Sequence, residues 1–292
     1  MFGLLNINKP PGVTSRDVVN QIQRKIRPVK VGHAGTLDPL ATGVLVLCLG
    51  RATRLVPYVQ RLSKRYTATF LLGRRSDTDD VDGKIELIAA SPLLTQRQIE
   101  EALPNFIGEI LQRPPAYSAI KVRGQRAYHR ARLGEHVEIA PRPVRVFSIA
   151  LQAYEYPKLT LQIVCGSGTY VRSIGRDLAE LLGTGGVLSE LERTAIGDFR
   201  IEDALRPDQL VAGSLSDALL PATTAVAGLP HIQLTEGEAL QLAKGLSILR
   251  PQHGQGAEVA AIDSKGRLAA ILRPKTDDLL SPVRNFGDSH AS

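Results

Sequence analysis

The sequence has little of what disulfide-stabilised, zinc-binding or membrane proteins require. Only two cysteines, Cys48 and Cys165, occur in 292 residues, and there is no CxxC pair and no histidine cluster at ligand spacing. Neither a disulfide framework nor a zinc site is therefore predicted, and we expect two buried free thiols. The longest apolar run, 44–49, is far shorter than the roughly 18 residues of a membrane span. No secretory signal precedes Lys9, so a cytoplasmic protein is favoured.

Motifs for bound cofactors are missing as well. There is no P-loop, and Gly166 and Gly168 are not followed by the third glycine of a dinucleotide-binding fingerprint. The acidic segment 77–82 resembles a calcium loop, but Val81 occupies a ligand position and no glutamate follows at the required distance. We interpret this segment as a solvated turn. The sequence predicts neither a metal nor a cofactor.

Positive charge is concentrated in two blocks of the chain. The whole sequence has 36 basic and 29 acidic residues, a net charge of +7. Residues 1–75 hold thirteen basic and two acidic side chains, and residues 113–145 hold eight and two. Solvated surface charge is one explanation, but two concentrated blocks favour a polyanion, because each neutralised phosphate releases counterions. Nucleic acid is favoured over a membrane surface, since no basic amphipathic helix with bulky aromatic residues accompanies the charge.

Local signals predict an α+β fold in which strands and helices alternate irregularly. Predicted helices begin at an N-cap Ser15, at a Thr95–Gln98 capping box, near Thr169 and at a Thr235–Glu238 capping box. Predicted strands cover 43–49, 66–72, 144–154, 159–165, 258–263 and 268–272. We place a domain boundary near residue 229, which gives units 1–228 and 229–292. No heptad seam demands assembly, so a monomer is expected.

One loop concentrates the features of a reactive site. Residues 32–43 read GHAGTLDPLATG, and Asp38 is, with Asp17, one of only two acids in the first 75 residues. The glycines permit positive φ and close approach of the backbone to a ligand, while Pro39 fixes the chain beside the carboxylate. Neighbouring cations should keep the pKa of Asp38 below its ordinary value of about 3.9. A positioned, ionised carboxylate can act as a nucleophile; from the loop alone, a turn-capping or ion-paired aspartate is an equal alternative.

Several motifs together resemble the bacterial tRNA pseudouridine-55 synthase family. They are KPPGVTS at 9–15, the GHAGTLDPLATG loop, KRY at 64–66, the segment 73–83 and GTYVRSI at 168–174. The resemblance covers most of residues 1–200 and implies a mixed, largely antiparallel sheet of pseudouridine-synthase type. It implies, more weakly, a small PUA-like β domain at the C-terminus. The implied activity is isomerisation of the T-loop uridine at position 55 of tRNA, without a cofactor or metal.

The resemblance also implies roles for individual residues. Asp38 is the expected nucleophile, Arg172 the arginine that pairs with it, and Tyr66 a catalytic residue that stacks against the base and acts as a general base. The remaining expected substrate contacts are Tyr170 and Leu191 around the uracil, His33 near the extruded nucleotide, and Lys9, Arg54 and Lys64 at phosphates. Without the resemblance, Tyr66 would be a half-buried strand tyrosine and Arg172 a solvent-facing helix arginine.

Three functional hypotheses follow. The leading one is an isomerase that acts on the T-loop and stem of tRNA after flipping the target nucleotide out of its stack. The second is a non-catalytic RNA-binding or tRNA-folding protein in which Asp38 has only a structural role; equally tight, salt-sensitive binding of every RNA would distinguish it. The third is a pseudouridine synthase that modifies another RNA, which the position of the modified nucleotide would reveal.

Overall fold

The computed structural model describes residues 1–115, 117, 121–122, 125–126, 139–210, 213, 215–250 and 258–287. Its helices are α1 (Ser15–Lys25), α2 (Val56–Arg61), α3 (Gln96–Ala102), α4 (Val171–Leu181) and α5 (Glu236–Ala243). Its strands are β1 (Gly3–Lys9), β2 (Val31–His33), β3 (Thr42–Leu49), β4 (Lys64–Leu72), β5 (Arg74–Ser76), β6 (Ile85–Leu87), β7 (Gly108–Gln112), β8 (Lys121–Val122), β9 (Gln125–Arg126), β10 (Arg142–Glu155), β11 (Lys158–Cys165), β12 (Gly186–Ile196), β13 (Phe199–Arg200), β14 (His231–Gln233), β15 (Ile248–Leu249), β16 (Val259–Ile262), β17 (Leu268–Pro274) and β18 (Leu279–Asn285). Most of the second basic block and the polar tail after residue 287 lie outside the described residues.

A nine-stranded sheet organises the first two thirds of the chain. Its strand order is β1-β3-β12-β4-β11-β10-β7, with β2 paired to β3 and β13 paired to β12. The β3–β12 pair is parallel, and the other described pairs are antiparallel. Helices α3 and α4 cover one face of its central strands, where Phe70 of β4 packs with Ile174 of α4. The predicted α+β class with a mixed, largely antiparallel sheet is confirmed.

The apolar run that stood out in the sequence is buried on both of its faces. Leu45, Leu47 and Leu49 of β3 pack against α1, whereas Val44 and Val46 face the C-terminal part of the chain. A strand covered on both faces has no solvated side, so it lacks the polar alternation of a half-buried strand. Both cysteines are free and buried, as expected.

A second sheet contains five strands in the order β14-β16-β17-β18-β15. Helix α5 contributes Leu242 to a core cluster of this sheet. Apolar residues of the sheet, including Ile262, Ile271 and Phe286, also share a cluster with β3. The two sheets are therefore joined by packed side chains. The boundary near residue 229 stays a prediction.

Helix starts follow local chemistry closely. Thr95 and Thr235 both form the expected capping boxes, with Gln98 and Glu238 respectively. The first helix differs by one residue, because Thr14 rather than Ser15 is its N-cap and Asp17 completes the box. Ser15 instead turns its hydroxyl inward to the loop that carries Asp38. Among the described residues, no helix combines the length and apolarity that crossing a membrane would require.

Candidate active site

The loop that carries Asp38 connects β2 to β3 and is tied down on both sides of the aspartate. The Ser15 hydroxyl accepts a hydrogen bond from the Leu37 amide (2.8 Å) and donates one to the Leu37 carbonyl (3.1 Å). The Gly12 amide donates to the Pro39 carbonyl at 2.9 Å. Because both neighbours of Asp38 are fixed by backbone contacts, the loop holds the carboxylate in a defined direction.

Glycine is required where this loop enters β3. Gly43 has a φ of 96°, and a Cβ placed there would lie 2.3 Å from the carbonyl oxygen of Arg193. The neighbouring strand β12 therefore passes too close for any side chain at Gly43. The sequence predicted close approach to a ligand, whereas this glycine makes room for the backbone of β12. Gly35 also has a positive φ, of 112°.

The loop brings Asp38 to an arginine shared by two carboxylates. Arg172 Nη2 lies 3.2 Å from Asp38 Oδ2, and Arg172 Nη1 lies 2.9 Å from Asp80 Oδ2. Arg172 also donates to the carbonyls of Thr78 (2.8 Å) and Tyr117 (3.2 Å). The guanidinium is only 5% exposed, so its orientation is fixed by partners from three segments. The solvent-facing alternative for Arg172 does not hold.

The interpretation of residues 77–82 as a solvated turn was wrong at its centre. Asp80 is only 3% exposed, and its Oδ1 accepts hydrogen bonds from the Thr78 hydroxyl (2.5 Å) and the Asp82 amide (3.1 Å). A buried carboxylate requires this kind of compensation, since an unpaired charge is costly away from water. Asp80 is stable inside because Arg172 and these donors surround it.

The pKa of Asp38 departs from its ordinary value in the direction opposite to that expected from the sequence. Burial in the cleft raises the pKa of Asp38, and the attraction of Arg172 offsets this effect only in part. Asp80 and Asp82 act to raise the pKa further, whereas Lys9 lowers it. The carboxylate itself still opens toward solvent, with 39% of its side chain exposed. The Asp38 carboxyl group is thus accessible to solvent, but its surroundings favour the neutral form over the ionised form.

Asp38 and Tyr66 face one cavity of about 400 Å³. The residues around it include Gly35, Leu37, Lys64, Tyr117, Tyr170, Arg172, Leu191 and Arg193. Tyr66 is 9% exposed. Burial raises its hydroxyl pKa, and the guanidinium of Arg193, hydrogen-bonded to that hydroxyl, acts to lower it. The cavity thus combines the Asp38 carboxylate, the Tyr66 phenol and the two buried arginines, Arg172 and Arg193.

Tyr170, Leu191 and Lys64 also line this cavity. The Tyr170 ring lies under the Arg142 guanidinium, 5.4 Å from its carbon. Lys64 is 7% exposed. Its ammonium donates to the Leu62 carbonyl (2.7 Å), the Ser167 hydroxyl (3.1 Å) and the Gln60 carbonyl. Burial lowers the pKa of Lys64 to about 8. Its donors are therefore committed to the protein rather than free at the surface.

Three other residues expected to contact the substrate, Lys9, Arg54 and His33, do not line this cavity. Lys9 is fully buried, and its ammonium donates to the carbonyls of Pro10 (2.9 Å), Val13 (2.7 Å) and Pro39 (3.3 Å). It therefore does not occupy the surface position that a phosphate contact needs. Arg54 is exposed and donates to the Asn285 carbonyl of β18 at 3.0 Å. His33 ends β2 opposite Leu47, and burial lowers its pKa.

Sequence reasoning missed Asp80 and Arg193. Asp80 is one of four aspartates within six positions, and no local pattern separates it from the others. Arg193 is 1% exposed, and it donates to the Val44 carbonyl (2.7 Å) and the Gly35 carbonyl (3.2 Å). Arg193 lies opposite Tyr66 where β4 and β12 pair. Predicting this position from the sequence would have required knowledge of the strand pairing. Within the described residues, no group of three or more metal-ligating side chains occurs.

Comparisons with known proteins identify the family of the chain. The family model "TruB family pseudouridylate synthase (N terminal domain)" matches residues 23–171. A tRNA pseudouridine synthase B of Dehalococcoides mccartyi is 42% identical over 290 residues, covering 98% of this chain and 97% of the relative. The protein of the same name from Bradyrhizobium diazoefficiens is 43% identical over 301 residues, covering 98% and 86%.

Solved structures share the fold. A chain of a Cbf5–Nop10–Gar1 complex is similar with a TM-score of 0.74 and 28% identity, covering 97% of this chain and 84% of that one. A chain of an H/ACA RNP bound to a substrate RNA containing 2′-deoxyuridine gives a TM-score of 0.75 and 25% identity, covering 98% and 85%. Fold, cavity and relatives together define a pseudouridine synthase, an isomerase that converts uridine to pseudouridine. Within that class, the chain belongs to the TruB family.

Proposed function

We propose that this enzyme isomerises the T-loop uridine at position 55 of tRNA, with Asp38 as its nucleophile. The observation that carries the proposal is the placement of the Asp38 carboxylate, which opens into the cavity while lying 3.2 Å from Arg172. Curated relatives named tRNA pseudouridine synthase B, similar over nearly their whole length, support tRNA as the substrate.

The reaction rearranges one nucleotide without consuming a second reactant. The bond between N1 and C1′ breaks, the base rotates in its pocket, and a bond forms between C5 and C1′; C5 loses a proton and N1 gains one. Asp38 supplies the carboxylate that this exchange needs, and Arg172 keeps that carboxylate charged and oriented. Attack at C1′, attack at C6 and a glycal route all require the same ionised group. The proposal covers all three.

The other cavity residues would hold the flipped nucleotide. Tyr66 offers a ring to the base, and Tyr170 and Leu191 add apolar walls that exclude water. A cavity of about 400 Å³ has the size of a small-molecule pocket, so we infer that it takes a single nucleotide. The target must therefore leave its loop, and His33, close to the loop of Asp38 in sequence, is the residue we assign beside the vacated stack.

Affinity for the rest of the tRNA is assigned to the exposed basic side chains of the first block. Arg54 is one of these, and it lies beside Asn285 of the C-terminal sheet, so a phosphate held by Arg54 would lie next to that sheet. Their joint contribution is electrostatic and therefore depends on salt. The proposal places the enzyme in the cytoplasm, with its tRNA, and as a monomer.

An isosteric substitution tests the nucleophile. Asp38→Asn keeps the size of the side chain but removes its charge, so tRNA binding should persist while tritium release from tRNA containing 5-tritiated uridine stops. Asp208→Asn is the matched control, because Asp208 is an exposed aspartate with 64% of its side chain accessible. Turnover by Asp38→Asn would contradict the assignment.

The site of modification is tested separately. A tRNA with cytidine at position 55 should bind but yield no product, and a chemical map of pseudouridine in the natural tRNA should show one T-loop position. Product at another position, or in an unrelated RNA at a similar rate, would contradict the proposed substrate but not the class of reaction.

A further inference from the structure

Two arginines one helical turn apart on α4 meet two successive aspartates. Arg172 lies 2.9 Å from Asp80, and Arg176 Nη1 lies 2.6 Å from Asp79 Oδ2. Side chains four residues apart lie on the same face of a helix. The second pair is nearly as enclosed as the first, since its side chains are 12% and 13% exposed. The segment 77–82 is thus fastened to α4 at two points, of which only the first contacts Asp38.

Arg176 also binds a third segment. Its Nη2 donates to the Arg113 carbonyl at 2.8 Å, and the Ser173 hydroxyl donates to the same carbonyl at 3.1 Å. This segment runs on to Tyr117, whose carbonyl accepts from Arg172. Arg176 consequently joins α4 to the two segments that supply the other partners of Arg172.

The chain at Asp79 is fixed by more than its side chain. Its carbonyl accepts from the Leu188 amide of β12 (3.0 Å), and the Val81 amide donates back to the Leu188 carbonyl (2.9 Å). Asp79 has a φ of 62°, a conformation that asparagine tolerates better than most residues. Since Asp79 and Asp80 are adjacent in the chain, the two ion pairs and the Leu188 hydrogen bonds hold one short stretch of backbone together.

We propose that the Arg176–Asp79 pair is a positioning device for catalysis, because it holds Asp80, and through it Arg172, in register with Asp38. Arg176 and Asp79 are not among the residues that line the cavity, so they act through Arg172 rather than on the nucleotide. The inference rests on the proposed function of Asp38. A guanidinium displaced by about 1 Å no longer orients the nucleophile, and such displacements reduce rates by up to about 100-fold.

The test compares turnover with tRNA affinity. Arg176→Gln removes the charge and the fork of donors, and we expect kcat to fall about 10-fold with the Kd for tRNA unchanged. Arg176→Lys keeps the charge with a single donor group and should give an intermediate kcat. The matched control is Arg97→Gln, which breaks an exposed ion pair with Glu101 whose side chains are 86% and 61% accessible. That control should turn over tRNA at the normal rate.

A double-mutant cycle separates positioning from general loss of stability. If Arg176 acts through Asp80, the Arg176→Gln/Asp80→Asn double variant should have a single-turnover rate less than about 2-fold below that of Asp80→Asn alone. The reason is that Asp80→Asn already removes the contact between Asp80 and Arg172 that Arg176 supports. All rates are measured at a temperature where circular dichroism shows each variant folded. If Arg176→Gln does not fold, Asp79→Asn and Arg176→Lys take its place in the cycle.

The substitutions at Arg176 and Asp79 are referred to as the clamp variants. Three outcomes would overturn the inference: a normal kcat for these variants, a loss that appears only in tRNA affinity, or full additivity with Asp80→Asn. A failure of the underlying function is recognised separately. If Asp38→Asn retains turnover, the nucleophile is misassigned; if Asp38→Asn is inactive and the clamp variants are normal, only the positioning role is refuted.

Discussion

Helix α4 contains a glycine at the point where it contacts the central sheet. A Cβ placed on Gly175 would lie 2.0 Å from Cε1 and 2.1 Å from Cδ1 of Phe70, a fully buried ring on β4. Ordinary contacts begin at about 3.4 Å. In Gly175→Ala, either the ring or the helix must therefore move by about 1.4 Å. Because the ring is enclosed in a packed core, we expect much of the movement to occur in the helix.

Two free energies oppose each other in this substitution. Overpacking of a filled core costs about 3 kcal/mol, and replacing glycine by alanine within a helix contributes about 1 kcal/mol of stability. The net loss of about 2 kcal/mol corresponds to a melting temperature about 5 °C lower in a protein of this size. The larger effect is on turnover, because Arg172 lies one turn away on the same helix and its contact with Asp38 is only 3.2 Å long. A shift of about 1 Å there should reduce kcat about 100-fold.

The assay is tritium release at saturating tRNA, together with a thermal melt of each variant. Gly237→Ala is the matched control, because Gly237 lies in α5 and a Cβ there meets nothing within 4 Å. That variant should be slightly more stable and fully active. Normal kcat and an unchanged melting temperature for Gly175→Ala would refute the claim that close packing of α4 on β4 sets the position of Arg172.

Two further predictions follow from buried charges. Lys9→Met leaves three carbonyls without their donor, so a denaturant titration should show a free energy of unfolding lower by about 2 kcal/mol. The salt dependence of tRNA binding should stay the same. Loss of a phosphate contact would instead reduce the slope of that dependence by about one. Because burial raises the pKa of Asp38 and the proposed mechanism requires its carboxylate to be ionised, kcat/KM should fall with decreasing pH around a midpoint above the ordinary aspartate value of 3.8. As pH rises from the ordinary pKa of aspartate through the raised pKa of Asp38, ionisation of this residue lowers the stability of the folded state. Asp38→Asn should therefore melt at a higher temperature than the parent at neutral pH, and an equal or lower melting temperature would contradict the direction of the pKa change.

The features that sequence reasoning predicted are those determined by a few neighbouring residues. The capping boxes at Thr95 and Thr235 depend on a partner three positions away. The positive φ at Gly43 depends on the absence of a side chain. The error at Ser15 has the same origin, since Thr14 and Ser15 are both good N-caps and only the loop contact of Ser15 separates them.

The features that were missed depend on contacts between distant residues. Asp80 and Arg172 are 92 positions apart, and four aspartates of similar surroundings compete for that role in the sequence. Lys9 belongs to a basic block, yet its partners are three carbonyls that the fold brings around it. A lysine is seldom fully buried, so composition alone favours a surface position and misleads here.

The same distinction explains why the pKa of Asp38 was expected to move in the wrong direction. Its sequence neighbourhood is strongly basic, but charges of both signs surround the folded carboxylate. Arg172 and Lys9 lower the pKa of Asp38, whereas Asp80 and Asp82 raise it. Asp80 draws on the same guanidinium that stabilises Asp38, so compensation is incomplete and burial dominates. An anion whose charge is only partly compensated remains more basic, and nucleophilicity rises with basicity. For the nucleophile we propose, sharing one arginine between two carboxylates would therefore orient Asp38 without reducing its reactivity as far as an exclusive ion pair would.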